Sequence, residues 1–361
     1  MQFDLDEERA HLKQSTRELL EKEAPLEQTR ATMENAPEGY SKALYAQLGE
    51  LGYLGLAVPE PQGGAGVGYV GLAAVLEEMG RAAFPGPYLD LVMAAEVLHR
   101  AEGDQARAWL HDLLAGERVV VLARAESVHP IGESEAPAAR FAGGRAVGRK
   151  HFVPFGDSAD ALLVTTADGL ALVPRPETGW NALPLATLDH AQRFAEIELD
   201  TPGSLLAAAG ATGELLAAAD RTGALGAAAL LLGLMERALE VSVDYTRERR
   251  AFDVPIATFQ ALQHREADML LRTEGTRAAV YRAAWAADRG TEDVALLCAV
   301  AKAYAGDAGR FVCGEAIQLH GGVGFTWEYD PHIYFKRVKT LEQFYGSTRS
   351  QLEAALRAAG I

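Results

Sequence analysis

Three arginines within four residues are the first feature of the sequence that could bind a ligand. Arg247, Arg249 and Arg250 lie in the run YTRERRAF, in a chain whose formal net charge is −16. Guanidinium groups pair with phosphate oxygens through two parallel hydrogen bonds, and Phe252, which follows at once, could lie against an aromatic ring. The helix dipole also favours cations at a helix C-terminus, so plain capping is the alternative interpretation.

A glycine-rich turn is the second such feature. The run AIQLHGGVGFTWE, Ala316 to Glu328, contains Gly321, Gly322 and Gly324. Glycines let a ligand approach the backbone closely, and a turn rich in N–H groups can cradle a phosphate. The same glycines can end a helix over Val294–Leu319, so a simple C-cap is the alternative interpretation.

Two other motifs carry no chemistry in our interpretation. Cys298, Cys313 and His320 lack the spacing of metal ligands and no HExxH run occurs, so no metal site is predicted. The run GGAGVG, Gly63 to Gly68, resembles half of a dinucleotide-binding loop. It follows a predicted helix and a VPEP turn rather than a strand, which favours a structural turn.

The composition is that of an acidic protein with a sizeable core. Of 361 residues, 49% are hydrophobic, 34 are lysine or arginine and 50 are aspartate or glutamate. An acidic surface repels nucleic acid and anionic lipid, which argues against binding to either. Two cysteines and a charged N-terminal run predict a cytoplasmic protein. The longest apolar run, Gly223 to Met235, is too short to span a membrane. It predicts a buried helix and, because it is apolar nearly all round, oligomerisation through the C-terminal helices.

The distribution of proline divides the chain into three predicted domains. Residues 1–117 contain six prolines, residues 118–205 contain seven and residues 206–361 contain two. Proline breaks helix interiors, so only the last domain can hold long helices, whereas β-branched runs in the middle one favour antiparallel strands. Helices are expected over Tyr40–Leu51, Val70–Met79, Leu89–Ala101, Gln105–Ala115, Thr212–Arg249, Phe259–Ala287, Val294–Leu319 and Val338–Ala359. Strands are expected over Arg118–Ala123, Arg145–Val153, Ala161–Thr166, Gly169–Val173 and Arg193–Leu199.

The order of several specific runs resembles the acyl-CoA dehydrogenase family over essentially the whole chain. The runs are LGYLGLAVPEPQGGAGVG, VLEEMGRA, YTRERRAFDVPI, FQALQHREADM and QLHGGVGF, with a weaker match in GRKHFVPFGDSADALLVTT. The resemblance implies an α+β multidomain protein: an N-terminal α-helical domain, a middle antiparallel β-barrel-like domain and a C-terminal four-helix bundle. It also implies FAD between the last two domains, with part of the cofactor reaching a neighbouring subunit.

The resemblance assigns the flavin contacts residue by residue. Arg249 matches the arginine that meets the pyrophosphate, and Phe252 matches the phenylalanine beside it. Gln260, Gln318, Gly321 and Gly322 match the remaining contacts. The sequence departs from the family pattern where Asp253 replaces a glycine, where His151 stands in place of a tryptophan, and where LARAES replaces a Thr-Glu-Pro loop.

The resemblance also locates the catalytic base, and here the sequence lacks it. Family members remove the α-proton of an acyl-CoA with a glutamate while the β-hydride passes to flavin N5. The matching run FYGST places Tyr345 at the usual glutamate position, and Gly223 stands at the alternative one. Tyrosine, with a reference pKa of about 10, is roughly 0.1% ionised at pH 7, which costs about 4 kcal/mol before any proton moves. Asp220, one helical turn before Gly223, is the other candidate base.

Three hypotheses follow. The first is an FAD-dependent acyl-CoA dehydrogenase whose base is displaced or supplied by a partner subunit, because some bacterial members are heteromers that act on steroid side chains or other bulky acyl-CoAs. An electron-transfer flavoprotein-like acceptor and a homo- or hetero-oligomer are expected with it. The second is a flavin oxidase or monooxygenase on the same fold. The third is a non-catalytic subunit, which the retained Arg249 and QLHGG run disfavour.

Overall fold

The computed structural model describes residues 5–127 and 136–361. They form eleven α-helices: α1 (Glu7–Glu23), α2 (Leu26–Asn35), α3 (Lys42–Glu50), α4 (Tyr69–Arg81), α5 (Tyr88–Arg100), α6 (Asp104–Leu114), α7 (Ala209–Glu248), α8 (Gln260–Arg289), α9 (Val294–His320), α10 (Pro331–Gln343) and α11 (Thr348–Ala358). They also form ten strands: β1 (Val120–Ala123), β2 (Arg140–Ala142), β3 (Arg145–Pro154), β4 (Ala161–Thr166), β5 (Gly169–Pro174), β6 (Trp180–Leu185), β7 (Phe194–Pro202), β8 (Ser204–Ala208), β9 (Arg250–Ala251) and β10 (Val254–Pro255). The predicted α+β class is therefore confirmed.

The described residues fall into two units. The first contains Met1–Thr29, Ala73–Phe84 and Ala224–Ile361, and the second contains Arg30–Leu72 and Pro85–Gly223. The first unit therefore holds α1, most of α4, the later part of α7 and all helices from α8 to α11, whereas both four-stranded sheets lie in the second.

The apolar run inside α7 is buried by the chain itself. Every residue from Gly223 to Met235 is buried, which confirms the predicted buried helix. By length and composition α7 could cross a membrane, but 72% of its most apolar window is buried inside the protein, as in the core helix of a globular domain. The run is therefore buried without a partner subunit, so its apolar character gives no separate support for the predicted oligomerisation.

The predicted helix over Val338–Ala359 is two helices. α10 ends at Gln343 and α11 begins at Thr348, so the FYGS turn interrupts the helical pattern. Tyr345 and Gly346 have φ angles of 58° and 90°, which continue no right-handed helix. Ser347 restarts it as the N-cap of α11, where its side chain accepts a hydrogen bond from the Ser350 N–H. The break falls at the position of the expected catalytic residue.

Two buried carboxylates fix α4 within the first unit. Glu77 and Glu78 are both buried. Lys13 of α1 lies 2.7 Å from Glu77, Arg277 of α8 pairs with the same carboxylate, and Arg17 of α1 donates two hydrogen bonds to Glu78. Burial alone would raise the pKa of Glu77, but the charges of Lys13 and Arg277 hold it below its usual value. Such pairs are costly to break, because one charge would remain buried and unpaired.

The sheets of the second unit differ from the prediction in two respects. One sheet has the order β1-β4-β5-β8 and the other the order β2-β3-β7-β6. β1 runs parallel to β4, with Val120 opposite Ala161, whereas antiparallel strands were predicted throughout. The two sheets are separate and open among the described residues, so the expected barrel-like closure is not observed. Separately, the sequence analysis missed three strands of these sheets, β2, β6 and β8, of which β6 is an edge strand that contains Pro184.

Candidate cofactor and active site

The arginine cluster lies where α7 ends. Arg249 directly follows the last helical residue, and its N–H still donates to the carbonyl of Tyr245, one turn earlier. Its side chain is exposed. Within residues 5–127 and 136–361, the Arg249 guanidinium forms no ion pair or side-chain hydrogen bond, so it remains available to an anion. Arg250, in contrast, donates to the carbonyl of Asp253 and closes the following hairpin.

The predicted glycine turn lies at the end of α9, and it is joined to the end of α7. The rings of Tyr245 and His320 stack with centroids 4.3 Å apart, and the Tyr245 hydroxyl donates to the His320 carbonyl over 3.4 Å. His320 Nδ1–H donates to the Ala316 carbonyl at 2.7 Å, so Nε2 is left as the acceptor. Burial lowers the pKa of His320 despite this hydrogen bond, so the stacked ring is neutral at pH 7. The stack brings the two predicted phosphate-binding segments together.

The backbone of this turn is open on one side. Gly321 has a φ of 63°, and its N–H donates to the carbonyl of Gln318. Gly321, Gly322 and the Gln318 side chain are exposed. A Cβ at either glycine would meet no described atom of the chain within 4 Å. Gly322 is thus not imposed by packing, and the open space above an N–H-rich turn fits a diphosphate.

A two-residue hairpin turn carries Phe252. Strands β9 and β10 pair through Ala251 and Val254, and the central residues Phe252 and Asp253 have φ angles of 51° and 64°. Such turns require positive φ at both central positions, and aspartate tolerates that conformation better than most residues. The replacement of the family's glycine by Asp253 is therefore compatible with the turn. Phe252 lies at the tip of this hairpin, where it is 90% exposed and packs edge-on against Phe259.

Gln260 lies beside this hairpin as the first residue of α8. Phe259 precedes it as the N-cap residue, and the Gln260 side chain is exposed. Because Phe252 contacts Phe259, the hairpin tip and the start of α8 form one surface. The structure thus brings Phe252 near Gln260, and separately brings the end of α7 near Gln318, Gly321 and Gly322.

Tyr345 lies in the turn between α10 and α11, where several contacts fix the backbone. Gln351 Nε2 donates to the Tyr345 carbonyl at 3.1 Å, and buried Lys302 donates to the Gly346 carbonyl at 2.7 Å. Glu342, one helical turn before Tyr345, is buried, and it pairs with Arg310 and with Lys339 at 2.6 Å. Glu342 is therefore engaged structurally and is not a spare base.

Asp220, the other candidate base, belongs to the second unit. Both of its carboxylate oxygens contact the guanidinium of Arg124, which follows β1 in the LARAES run. Its side chain is about half exposed. The acceptor oxygens of Asp220 are thus occupied by a cation in this structure, and Gly223 offers no functional group of its own.

A buried lysine organises the LARAES run, and sequence reasoning missed it. Lys150 Nζ contacts the carboxylate of Glu126 and donates to the Thr165 hydroxyl at 3.0 Å. Burial lowers the pKa of Lys150 although Glu126 opposes this effect. His151, next in β3, lies 3.2 Å from Glu196 through Nδ1. Lys150 is flanked by Arg149 and His151 and its partner lies 24 positions away, so the sequence carries no local signal for this pair.

No group of three His, Cys, Asp or Glu side chains within residues 5–127 and 136–361 is arranged to hold a metal ion. Cys298 and Cys313 are both buried free thiols, and burial raises the pKa of Cys313 well above its usual value.

The glycines of the Gly63–Gly68 run pack as a turn against the segment before them, where Gly66 and Gly68 donate to the carbonyls of Val58 and Leu56.

Comparison with known proteins identifies the family of this chain. The family model of the acyl-CoA dehydrogenase N-terminal domain matches residues 6–117, and the model of the C-terminal domain matches residues 221–360. Acyl-CoA dehydrogenase IpdE2 of Mycolicibacterium smegmatis is 34% identical over 352 residues, which cover 96% of this chain and 97% of that protein. Acyl-CoA dehydrogenase FadE27 of Mycobacterium tuberculosis is 30% identical over 89% of this chain and 88% of its own length.

Solved structures resemble the whole chain. A Tcur3481-Tcur3483 steroid ACAD variant is 28% identical with a TM-score of 0.87, over 99% of both chains. The ChsE4-ChsE5 complex from Mycobacterium tuberculosis is 27% identical with a TM-score of 0.87, over 100% of this chain and 99% of that one. Family models that match well over half of the residues, together with full-length relatives, establish that this chain belongs to the acyl-CoA dehydrogenase family.

Proposed function

We propose that the chain is an FAD-dependent acyl-CoA dehydrogenase subunit in which Tyr345 occupies the place of the family's glutamate and a partner subunit supplies the base. The observation that carries the flavin part is the Tyr245–His320 stack, because it joins the free guanidinium of Arg249 to the open turn at Gly321 and Gly322. One anion can therefore be held from two sides.

The residues proposed to hold FAD follow from this geometry and from the family match. Arg249 and the backbone of Gly322 bind the diphosphate, since guanidinium and N–H groups both suit phosphate oxygens. Gly321, whose own N–H donates to the Gln318 carbonyl, leaves the space beside them open. Exposed Phe252 supplies an apolar surface beside it. Gln260 and Gln318 supply the remaining hydrogen bonds. When bound, the flavin accepts the substrate hydride at N5.

The absence of a base at position 345 supports the partner-subunit part of the proposal. A neutral phenol is a weak proton acceptor at pH 7, and the carboxylates considered as substitutes are already paired, Asp220 with Arg124 and Glu342 with Arg310 and Lys339. Two similar structures bear paired names, ChsE4-ChsE5 and Tcur3481-Tcur3483. We therefore propose a heteromer with a second dehydrogenase chain that carries the glutamate.

An exposed apolar patch on α8 and α9 supports association with another subunit. It consists of Leu271 on α8 and Val300 and Tyr304 on α9, all of them exposed. The Tyr304 hydroxyl lies over Gly275, one helical turn after Leu271, so these side chains adjoin. Contiguous exposed apolar side chains mark interaction surfaces.

The substrate class is proposed from the relatives alone. One of the similar solved structures is described as a steroid ACAD, so a bulky, steroid-derived acyl-CoA is the proposed substrate, with an electron-transfer flavoprotein-like acceptor. The test is anaerobic mixing of the purified protein, alone and with a co-expressed glutamate-bearing partner, with steroid side-chain and straight-chain acyl-CoAs. Bleaching of the flavin only in the heteromer is expected. Rapid bleaching by the isolated chain contradicts the need for a partner, and rapid reoxidation by air points to an oxidase.

A further inference from the structure

The backbone at Tyr345 is held in a conformation that this residue rarely adopts. Tyr345 has a φ of 58°, and such a left-handed conformation at a non-glycine residue persists only where the surroundings impose it. The next residue is glycine, whose φ of 90° is a backbone conformation that residues with a Cβ rarely adopt. The direction of the Tyr345 side chain therefore depends on whatever holds this turn.

One ammonium group holds both sides of the turn. Lys302 of α9 is fully buried, and its Nζ donates to the Gly346 carbonyl at 2.7 Å and to the Glu342 carbonyl at 3.3 Å. The Glu342 carbonyl is among the last of α10 and has no helical N–H partner ahead of it. Lys302 thus ties the end of α10 to the residue after Tyr345.

The close approach of α9 to the turn makes this contact possible. Gly306 lies one helical turn after Lys302, and a Cβ there would meet Thr348 Oγ1 at 2.8 Å and Glu342 Cγ at 3.4 Å. A larger side chain at Gly306 would push the end of α10 and the start of α11 away from α9. Lys302 and Gly306 therefore form one face of α9, shaped to receive the turn.

A buried ammonium is an expensive way to satisfy two carbonyls. Burial lowers the pKa of Lys302 to about 7, although the nearby Glu342 carboxylate opposes the shift. An apolar residue would fill the same volume without this penalty, whereas the Lys302 Nζ carries several N–H groups and donates to two carbonyl groups that lie on either side of a strained residue. The contact is therefore better explained by the turn than by helix packing.

We propose that Lys302 is the positioning residue of the active-site turn: its two hydrogen bonds hold residue 345 in the left-handed conformation and fix the direction of its side chain. The proposal rests on the proposed function only in naming this turn as part of the active site. Lys302 touches no substrate in this scheme and acts through the backbone of the turn.

The test follows the Tyr345 side chain directly. Full-length protein is labelled with 3-fluorotyrosine, and the Tyr345 line among those of the 11 tyrosines is assigned by its disappearance in Tyr345→Phe. In Lys302→Met we expect the Tyr345 line to leave its wild-type position and broaden, while the other lines stay in place. Lys302→Arg, which retains charge and donors, should restore the line. Lys339→Met is the matched control, because it removes the other ammonium near Glu342 but contacts no turn carbonyl.

The proposal is overturned if the Tyr345 line keeps its wild-type position in Lys302→Met. It is also overturned if Lys339→Met displaces this line equally. If Lys302→Met does not fold, Lys302→Leu, which also lacks a donor, is measured by the same criteria. FAD content and flavin bleaching are recorded on the same samples. A wild-type protein that does not bind flavin contradicts the proposed function. The fluorine signal decides the role of Lys302 independently, because it needs no turnover.

Discussion

Arg124 and Asp220 form an ion pair that links the end of β1 to the first part of α7, 96 positions later in the chain. A carboxylate held by a guanidinium is poorly suited to accept a substrate proton. An exposed ion pair also contributes only about 0–1 kcal/mol to stability, so its loss should leave the fold intact. We therefore expect Asp220→Asn to change the rate of flavin bleaching by less than about threefold. The measurement is anaerobic bleaching of the heteromer by an acyl-CoA. An Asp220→Asn protein that keeps its FAD yet fails to bleach would make Asp220 the base.

Arg249 should matter to flavin retention far more than Arg247. Loss of charged hydrogen bonds to a phosphate costs about 1.5–3 kcal/mol, so Arg249→Ala should weaken FAD binding by roughly ten- to hundredfold. Arg247→Ala, in the last turn of α7, is the matched control. The ratio of flavin to protein absorbance after gel filtration measures the effect. Equal retention in the two variants removes Arg249 from the proposed site.

Tyr345 should be replaceable by phenylalanine at little cost. A neutral phenol is not the base, so Tyr345→Phe should alter bleaching by less than about twofold. Tyr345→Glu introduces a carboxylate with a reference pKa of about 4.3, which is ionised at pH 7 without the roughly 4 kcal/mol penalty of tyrosine. We expect this variant to gain slow bleaching without a partner. A fast wild type that slows sharply on Tyr345→Phe would show that the phenol itself takes part in proton transfer.

The lowered pKa of Lys302 predicts that the stability of the folded chain rises with pH above 7. The pKa is about 7 in the folded chain against 10.5 for an ordinary lysine, so between these values the unfolded state binds more protons at this site. The free energy of unfolding should therefore rise with pH above 7, by up to about 1.4 kcal/mol per unit from this group. Urea unfolding at pH 7, 8 and 9 should give a flatter dependence for Lys302→Met than for wild type or Lys339→Met. Parallel curves for all three proteins would contradict the burial of this charge.

The apolar patch on α8 and α9 should govern assembly. Leu271 is 70% exposed in it, so Leu271→Arg should shift the mass measured by light scattering towards the 38.6 kDa monomer. Leu188→Arg, at a residue that is 78% exposed in the second unit, is the control for surface charge and should leave the mass unchanged. An assembly that survives Leu271→Arg places the interface elsewhere.

The sequence was most informative where local chemistry decides the structure. The start of α8 was predicted within one residue and the start of α9 without error, because periodic apolar residues and turn residues mark them. The break at Tyr345 was not predicted, since no proline precedes it and the turn is imposed by Lys302 and Gln351 from other elements. Long-range pairs of this kind leave no local signal.

In the proposed FAD site, too, local features could be predicted from the sequence and contacts between distant elements could not. Arg249 and the turn at Gly321 could be singled out from residue types and spacing. The stack of Tyr245 on His320 that joins them could not, because a tyrosine within a helix and a histidine before a glycine are ordinary core residues. The paired state of Asp220 was equally hidden, since its partner Arg124 lies in a different element.

The parallel pairing of β1 with β4 has a consequence for biosynthesis. Every residue of β1 is buried in the finished sheet, and the contact that joins the start of this strand to β4, from the Val119 N–H to the Asp160 carboxylate, spans 41 positions. At roughly 5–20 residues per second, a ribosome makes that partner about 2–8 s after β1 has been synthesised. During this interval the apolar strand VVLA has no partner strand in its own sheet, so its side chains stay uncovered on a nascent chain that cannot yet form the sheet.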